Sequence, residues 1–139
     1  MNKLKIAFLA LTCVCISISP FKAAAGDFDG SKPLLAAMIE IYECTANNPC
    51  EQVTIEEINF THFLDIDFKN KIITGTRSNG QGVNSQIKNQ LSMNGMLILQ
   101  GVENGRGWTM SISEATGKVV LTVSSDEVGF IVFWGCITR

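Results

Sequence analysis

The sequence predicts a mainly β fold: an antiparallel meander of seven to eight strands, barrel-like or two-layered, with one N-terminal α-helix. Beyond residue 51, apolar and polar residues alternate with a period of two over most of the chain, as in strands with one buried face. Short segments rich in glycine and asparagine separate these runs at nearly regular spacing, which is typical of consecutive hairpins. Because a long open sheet exposes its edges, a meander of this length is expected to close or to form two layers.

The first 25 residues have the pattern of a secretory signal peptide. Lys3 and Lys5 precede an apolar run over residues 6–18, and Ala23-Ala24-Ala25 forms a small-x-small cleavage site. The apolar run is shorter than the roughly 20 residues that a membrane-spanning helix needs. We therefore expect export to the periplasm or the cell exterior, with residues 26–139 as a single β-rich domain.

Lipidation at Cys13 is an alternative that this segment leaves open. Thr12 is poorly suited to the position before a lipidated cysteine, so cleavage after Ala25 is the preferred interpretation. Cleavage would leave eight basic and thirteen acidic residues, a net charge of −5. Such a chain has too little positive charge to neutralise a phosphate backbone, which disfavours nucleic-acid binding. No further apolar segment is long enough to span a bilayer, and the sequence leaves the oligomeric state open.

Three cysteines remain in the predicted mature chain: Cys44, Cys50 and Cys136. Disulfides persist in exported proteins, so one bridge and one leftover thiol are expected. Cys44 and Cys50 bracket a short polar turn at residues 45–49 and are the predicted pair. A bridge between Cys44 and Cys136 is the alternative that the sequence leaves open.

The predicted helix covers about residues 33–45. Leu35, Met38, Ile39 and Tyr42 recur at helical spacing, and further apolar residues widen this stripe. A helix with so wide an apolar face is expected to pack on the sheet.

The strands are predicted from the alternating segments that follow. Ile87, Leu91 and Met93 are expected on one face of their strand, and Asn94-Gly95 is the strongest hairpin signal because both residues tolerate positive φ. The last segment is apolar on both faces, so a central or doubly covered position is expected. The predicted strands cover residues 52–54, 64–68, 71–77, 85–93, 96–102, 108–112, 118–124 and 128–136.

Four segments together resemble a family of small exported bacterial proteins of unassigned function. They are Phe-Asp-Gly-Ser-Lys-Pro-Leu-Leu at 28–35, Gln-Gly-Val-Glu-Asn-Gly-Arg-Gly-Trp at 100–108, Glu-Ala-Thr-Gly at 114–117 and Val-Gly-Phe-Ile-Val-Phe-Trp-Gly-Cys at 128–136. The similarity covers nearly the whole mature chain, and the family supplies no catalytic residues to transfer.

One departure from that family pattern concerns the cysteines. The family often has a cysteine where this chain has Ala36, which implies one bridge from the helix to the last strand and another across the 44–50 turn. Because Ala36 removes one partner here, the resemblance implies that Cys136 is a free, largely buried thiol.

The segment from Gly101 to Gly107, followed by Trp108, is the best candidate for binding. Glu103, Asn104 and Arg106 lie among its glycines, which allow a sharp turn or a close approach to a ligand. Arg106 could receive an anion, and Trp108 could stack on an apolar or sugar-like group. A plain hairpin connection, with Trp108 in the core, explains the same residues. A phosphate loop is excluded because no strand-to-helix context surrounds the glycines.

A second, weaker candidate is the loop at residues 78–82 together with Arg77. Catalytic and metal-binding interpretations are less well supported. His62 is the only histidine, and a loop histidine beside Asp65 and Asp67 explains it better than a general base does. Cys136 has no cation nearby in sequence that would lower its pKa for nucleophilic attack. The sequence therefore identifies no catalytic residue, metal site or cofactor.

The leading functional hypothesis is a non-enzymatic exported protein that binds a small ligand or an envelope partner. An inhibitor of an envelope-degrading enzyme is one alternative, since such inhibitors are often small, β-rich and disulfide-bonded. A hydrolase with an unusual site around Asp65, Asp67, Glu103 and Arg106 is another. An interior cavity of a few hundred cubic ångströms would favour a carrier, whereas a filled barrel would leave only surface loops for function.

Overall fold

The computed structural model describes residues 27–139, which form nine β-strands and one short helix. The predicted signal peptide and the possible lipidation site at Cys13 lie outside the described residues. The one helix in this part of the chain has four residues, far fewer than a membrane crossing requires. The elements are β1 (Leu34–Thr45), β2 (Glu51–Val53), α1 (Ile55–Ile58), β3 (Thr61–Asp67), β4 (Ile72–Arg77), β5 (Gly82–Met93), β6 (Met96–Glu103), β7 (Arg106–Ser113), β8 (Lys118–Ser124) and β9 (Val128–Thr138).

The sheet closes into a barrel. Strands β3 to β9 pair antiparallel in chain order, and β1 pairs with β9 along its whole length from Leu34–Thr138 to Thr45–Val128. The other edge of β1 is shared, because β3 pairs with its first half and β2 with its second. The barrel therefore has eight strands in the described region, with β2 as an extra short strand. This confirms the predicted mainly β antiparallel meander and selects the barrel over two layers.

The helix predicted over residues 33–45 is wrong, because this segment is the strand β1. Leu34, Ala36 and Ile41 are buried in the barrel, while Ile39 is 67% exposed. A β-bulge between Met38 and Glu40 inserts an extra residue into the strand. The residues that face the interior therefore lie two positions apart before the bulge and three positions apart across it. Because the outer face of the strand is also apolar, this spacing resembles the periodicity of an amphipathic helix.

The helix that does form, α1, lies in a connecting segment for which the sequence pattern predicts neither helix nor strand. The Thr54 side chain accepts a hydrogen bond from the Glu57 N–H at 3.3 Å, and the Glu57 carboxylate accepts one from the Thr54 N–H at 2.7 Å. These reciprocal bonds form a capping box, and the bond from the Thr54 backbone lowers the pKa of Glu57. Asn59 ends the helix in the left-handed conformation, at φ 50°.

The prediction that Ile87, Leu91 and Met93 share one face of β5 is wrong, because this strand contains a second bulge. The register shifts between Ile87 and Asn89, so Ile87 is buried whereas Leu91 and Met93 are more than half exposed. Every residue beyond the bulge has changed face, because side chains alternate strictly along a strand.

Two hairpins have asparagine-glycine turns. Asn94 and Gly95 have φ values of 53° and 77°, and Asn104 and Gly105 have values of 48° and 77°. Positive φ at both central residues is the requirement of the tight turns that match strand twist. The predicted Asn94-Gly95 hairpin is confirmed. The segment at 101–107 is likewise a hairpin whose turn is only two residues long.

One end of the barrel is closed by the segment before β1. Phe28 packs on Gly117, where an added Cβ would lie 2.7 Å from the phenylalanine ring. An added Cβ at Gly30 would likewise lie 2.9 Å from Gln90 Nε2 and 3.2 Å from Leu97 Cδ2. Since these partners lie in the β7–β8 turn, at the end of β5 and at the start of β6, residues 27–33 cover that end of the barrel. We call it the closed end.

The structure resolves the cysteine pairing. Cys44 and Cys50 form a disulfide, which confirms the predicted bridge and excludes the one between Cys44 and Cys136. Cys136 is a free thiol, buried in the barrel with 8% exposure, and its burial raises its pKa to about 11. Ala36 lies directly opposite Cys136 in the register of β1 and β9.

Replacing Ala36 with cysteine is predicted to form a disulfide with Cys136 that links β1 to β9, the two strands that close the barrel. Both side chains point inward from directly opposed positions, as a cross-strand disulfide requires. The bridge would close a loop of about 100 residues and raise the free energy of unfolding by up to about 4.7 kcal/mol. Thiol titration and urea unfolding, with and without reductant, measure both effects. Ala37→Cys is the control, because residue 37 lies opposite Gly135. A remaining free thiol in oxidised Ala36→Cys protein would contradict the prediction.

Cys136 is predicted to make the protein less stable in alkali. The folded pKa of about 11 exceeds the ordinary value of 9.0, so only the unfolded chain loses the proton between these pH values. The stabilisation that comes from keeping the buried thiol protonated is complete below pH 9. As pH rises towards 11, the free energy of unfolding falls by about 3 kcal/mol. Urea unfolding of the wild-type protein and of Cys136→Ala across pH 8–11 measures the difference in slope. Equal slopes in the two proteins would contradict this assignment.

Candidate ligand-binding cavity

The end of the barrel opposite the closed end contains a cavity of about 400 Å³. It lies between residues 58–60, the β4–β5 loop and the β6–β7 hairpin. Its walls are mainly apolar, and they include Leu64, Ile73, Val83, Met110, Leu121 and Phe130. A cavity of this size whose exposed lining is mainly apolar is typical of a small-molecule site.

The structure places all five predicted binding residues around this cavity. They come from two loops that are distant in sequence. In an antiparallel meander the ends of β4 and β6 and the start of β7 lie at the same end of the barrel, which explains their convergence. The ring of Trp108 is buried in the barrel, as the hairpin interpretation expects, and it also lines the cavity. The five residues are Arg77, Glu103, Asn104, Arg106 and Trp108.

Three charged residues face inward at the open end, and we call Arg77, Glu103 and Arg106 the rim. Arg77 Nη2 donates to Glu103 Oε1 at 2.8 Å, and each of these side chains is 24% exposed. Arg77 Nη1 also donates to the carbonyl of Asn59 at 3.3 Å. The arginine therefore connects the end of α1 to β6 across the intervening strand β5.

Arg106 has no carboxylate partner among residues 27–139. It lies directly opposite Glu103 in the β6–β7 register, but the Glu103 carboxylate pairs with Arg77. The rim consequently has two positive charges and one negative charge. The three charged residues that line the cavity therefore sum to +1, although the chain as a whole is acidic.

Trp108 is held against the cavity wall by two small residues. Its Nε1–H donates to Ser85 Oγ at 2.8 Å in the barrel interior. The indole also lies over Gly101, where an added Cβ would overlap Trp108 Cζ2 and would be 2.6 Å from the Gln86 carbonyl oxygen. Because Gly101 has no side chain, the ring lies on the wall and leaves the centre of the cavity open.

Thr61 is a site residue that sequence reasoning missed. It lines the cavity and is 0% exposed, and its hydroxyl oxygen has no hydrogen-bond partner among the described residues. A buried hydroxyl without a partner costs about 1–3 kcal/mol. A lone threonine at the start of a strand gives no sequence signal for such a position, since its isolation depends on the tertiary structure.

Three of the residues considered for catalysis, His62, Asp65 and Asp67, lie outside the cavity. His62 is exposed, with its Nε2 3.4 Å from Glu56 Oε1. On the outside of the barrel, Asp65 pairs with Arg139, and Asp67 accepts hydrogen bonds from Asn70. The acidic site suggested for a hydrolase is therefore split between the outer surface and the rim. Within residues 27–139 there is no group of three His, Cys, Asp or Glu side chains placed to hold a metal ion.

Gly101→Ala is predicted to displace Trp108. The new methyl group would overlap the indole ring and the Gln86 carbonyl, so the ring must move and its bond to Ser85 must break. We expect a loss of about 3 kcal/mol in the free energy of unfolding and a red shift of tryptophan emission. Urea unfolding and fluorescence measure the two effects.

The matched control is Gly107→Ala, two residues from the turn on the next strand. Its added Cβ would meet nothing closer than Ser124 Oγ at 3.9 Å, so its stability should stay within about 0.5 kcal/mol of wild type. If Gly101→Ala behaved like the control, the close contact with Trp108 would not constrain the site.

Comparisons of the chain with protein-family models, with curated proteins and with solved structures found no match. The cavity must therefore be interpreted from its own chemistry. That chemistry consists of apolar walls, an aromatic ring fixed on one side, a rim with a net charge of +1, and a buried hydroxyl that has no partner within residues 27–139.

Proposed function

We propose that the protein is a non-enzymatic binding protein that holds one small, mostly apolar molecule in its barrel. The observation that carries this proposal is the cavity of about 400 Å³ at the open end. Ligand pockets in proteins typically have volumes of 300–1,000 Å³. The interior of an eight-stranded barrel is wide enough either to be filled by side chains or to hold one small ligand. This barrel leaves one end unfilled.

The way in which the space is kept open supports binding. Thr61 and Ser85 are small inward residues on neighbouring parts of the wall, and Gly101 allows Trp108 to lie flat. Larger apolar residues at such positions would fill the interior to the density usual for protein cores. The closed end is already covered by residues 27–33, so a ligand would enter by the rim.

The lining favours binding over catalysis. Glu103 is the one carboxylate among the cavity-lining residues, and it pairs with Arg77. The same lining contains no histidine or cysteine. General acid–base or nucleophilic catalysis uses such groups, whereas a binding site needs only apolar contact and a few polar groups.

Export to the periplasm or the cell exterior is part of the proposal. The charged, apolar and small-residue pattern of residues 1–25 supports it. The disulfide between Cys44 and Cys50 is typical of oxidising compartments. The resemblance of the sequence to small exported bacterial proteins points to the same location.

The test is whether the cavity accepts a neutral aromatic probe. We expect N-phenyl-1-naphthylamine to bind with a 1:1 stoichiometry and enhanced fluorescence. Val123→Trp, which places a large side chain in the cavity lining, should reduce this binding at least tenfold. Val120→Trp is the control, because residue 120 lies on the outer face of the same strand and is partly exposed.

Native mass spectrometry of freshly purified protein provides a second readout, since a tightly held ligand would add a discrete mass. Saturable probe binding that Val123→Trp removes and Val120→Trp preserves would support the proposal. Absence of probe binding and of any added mass would overturn it, provided that circular dichroism shows the protein to be folded.

A further inference from the structure

We propose that the ligand is an organic anion with a compact aromatic body, whose acidic group binds Arg106 at the rim and whose body carries a hydrogen-bond acceptor that reaches Thr61. This inference rests on the proposed function, because it assigns a ligand class to the same cavity. It is carried by two independent observations, the unpaired charge at the rim and the unpartnered hydroxyl among the cavity-lining residues.

The rim favours a negative ligand. Glu103 could pair with Arg106, the residue directly opposite, but its carboxylate instead contacts Arg77 at 2.8 Å. This pairing leaves the Arg106 guanidinium beside the cavity with no carboxylate oxygen within 4 Å among the described residues. A guanidinium presents planar N–H donors that match a carboxylate or sulfonate in two parallel hydrogen bonds.

Arg77 adds further donors to the same end of the cavity. The structure uses one of its terminal nitrogens for Glu103 and the other for the Asn59 carbonyl. A guanidinium has five N–H groups, so donors remain after these two contacts. The contact with α1 and β6 also fixes the position of Arg77, which makes it a preformed part of the rim.

Two buried hydroxyl groups in the lining require an acceptor. Thr61 Oγ1 has no partner in the described structure and is fully buried. Ser85 Oγ accepts the Trp108 N–H, and because an indole nitrogen only donates, the Ser85 hydroxyl proton is not used in that bond. The Thr61 hydroxyl is closed off from solvent, so its side chain must turn about the Cα–Cβ bond before a ligand oxygen can reach it. A carbonyl or ether oxygen on the ligand would then satisfy one or both hydroxyls. A purely hydrocarbon ligand would leave them unsatisfied.

The aromatic body is indicated by the walls. Trp108 and Phe130 line the cavity, and Phe60 lines it next to the buried ring of Trp134, at a centroid separation of 6.0 Å. Flat rings can stack on such side chains or meet them edge to face. The combination of aromatic walls, hydroxyl donors and a guanidinium describes an aromatic acid that also carries an oxygen acceptor.

The first experiment isolates the charge. The probes are 1-naphthaleneacetate and its neutral amide, which share one ring system, measured by calorimetry against the wild-type protein. We expect Arg106→Gln to lower the affinity for the carboxylate about tenfold and to leave the amide within about twofold. Lys118→Gln is the matched control, because it removes an equal charge from the exposed first residue of β8, and it should change neither affinity by more than about twofold.

The second experiment isolates the hydroxyl. Coumarin-4-acetate adds a ring carbonyl to a body of similar size to 1-naphthaleneacetate. Thr61→Val should lower the affinity for coumarin-4-acetate about five- to tenfold and leave the affinity for 1-naphthaleneacetate within about twofold of the wild-type value. The melting temperature of the free protein should stay constant or rise, because the variant removes a hydroxyl that has no partner there. A merely structural threonine would instead lower the melting temperature and weaken both probes.

The outcomes separate this inference from the proposed function. If N-phenyl-1-naphthylamine binds but Arg106→Gln leaves the ratio of carboxylate to amide affinity unchanged, the anionic class is overturned while the cavity remains a binding site. If Thr61→Val weakens both acids equally or neither, the acceptor assignment is overturned. If no probe binds, including N-phenyl-1-naphthylamine, the proposed function itself fails.

Discussion

The pairing of β1 with β9 is the constraint on which the rest of the structure depends. Eleven residue pairs join the two strands, from Leu34–Thr138 to Thr45–Val128, so strands close to the two ends of the described chain close the barrel. Closing so long a loop carries an entropic cost that local hairpins do not have. Without this pairing there would be an open sheet with no interior, and neither the buried wall residues nor the cavity would exist. The bulge in β1 keeps its inward residues in register with the barrel along this seam.

The open end of the barrel departs from ideal packing in more than one way. At the closed end Phe28 and Phe68 pack against the core. At the open end Thr61 lacks a hydrogen-bond partner among the described residues, and a partly buried ion pair lies at the rim of the cavity. Partly buried ion pairs gain little over apolar residues of similar size, because removing charges from water costs about as much as their attraction returns. Such departures from the rules of stable packing concentrate at functional sites.

Much of the fold could be predicted because β4 to β9, apart from the second half of β5, obey local rules. Alternating residues define their faces, and the Asn-Gly turns at 94–95 and 104–105 fix two of the hairpins. The two errors, the helix at 33–45 and the face of Leu91 and Met93, both come from bulges. A bulge changes the period by one residue and leaves no local sequence signal. The five predicted site residues converge because a meander brings alternate strand ends to one rim, whereas the role of Thr61 depends on which groups surround it in the folded protein.

Electrostatics at the rim would act through contact and would contribute little to long-range attraction. The predicted mature chain has a net charge of −5, so an approaching anion is weakly repelled at distances beyond the screening length of about 8 Å in physiological salt. At a contact distance of about 4 Å, a single opposite charge near a protein surface is worth about 4 kcal/mol before desolvation, which exceeds that screened repulsion. An anion would therefore be attracted to Arg106 only after reaching the open end of the cavity. Exposed lysines elsewhere on the surface, such as Lys71 and Lys88, could attract the same charge. Selection would therefore depend on whether the body of the anion fits between the aromatic walls.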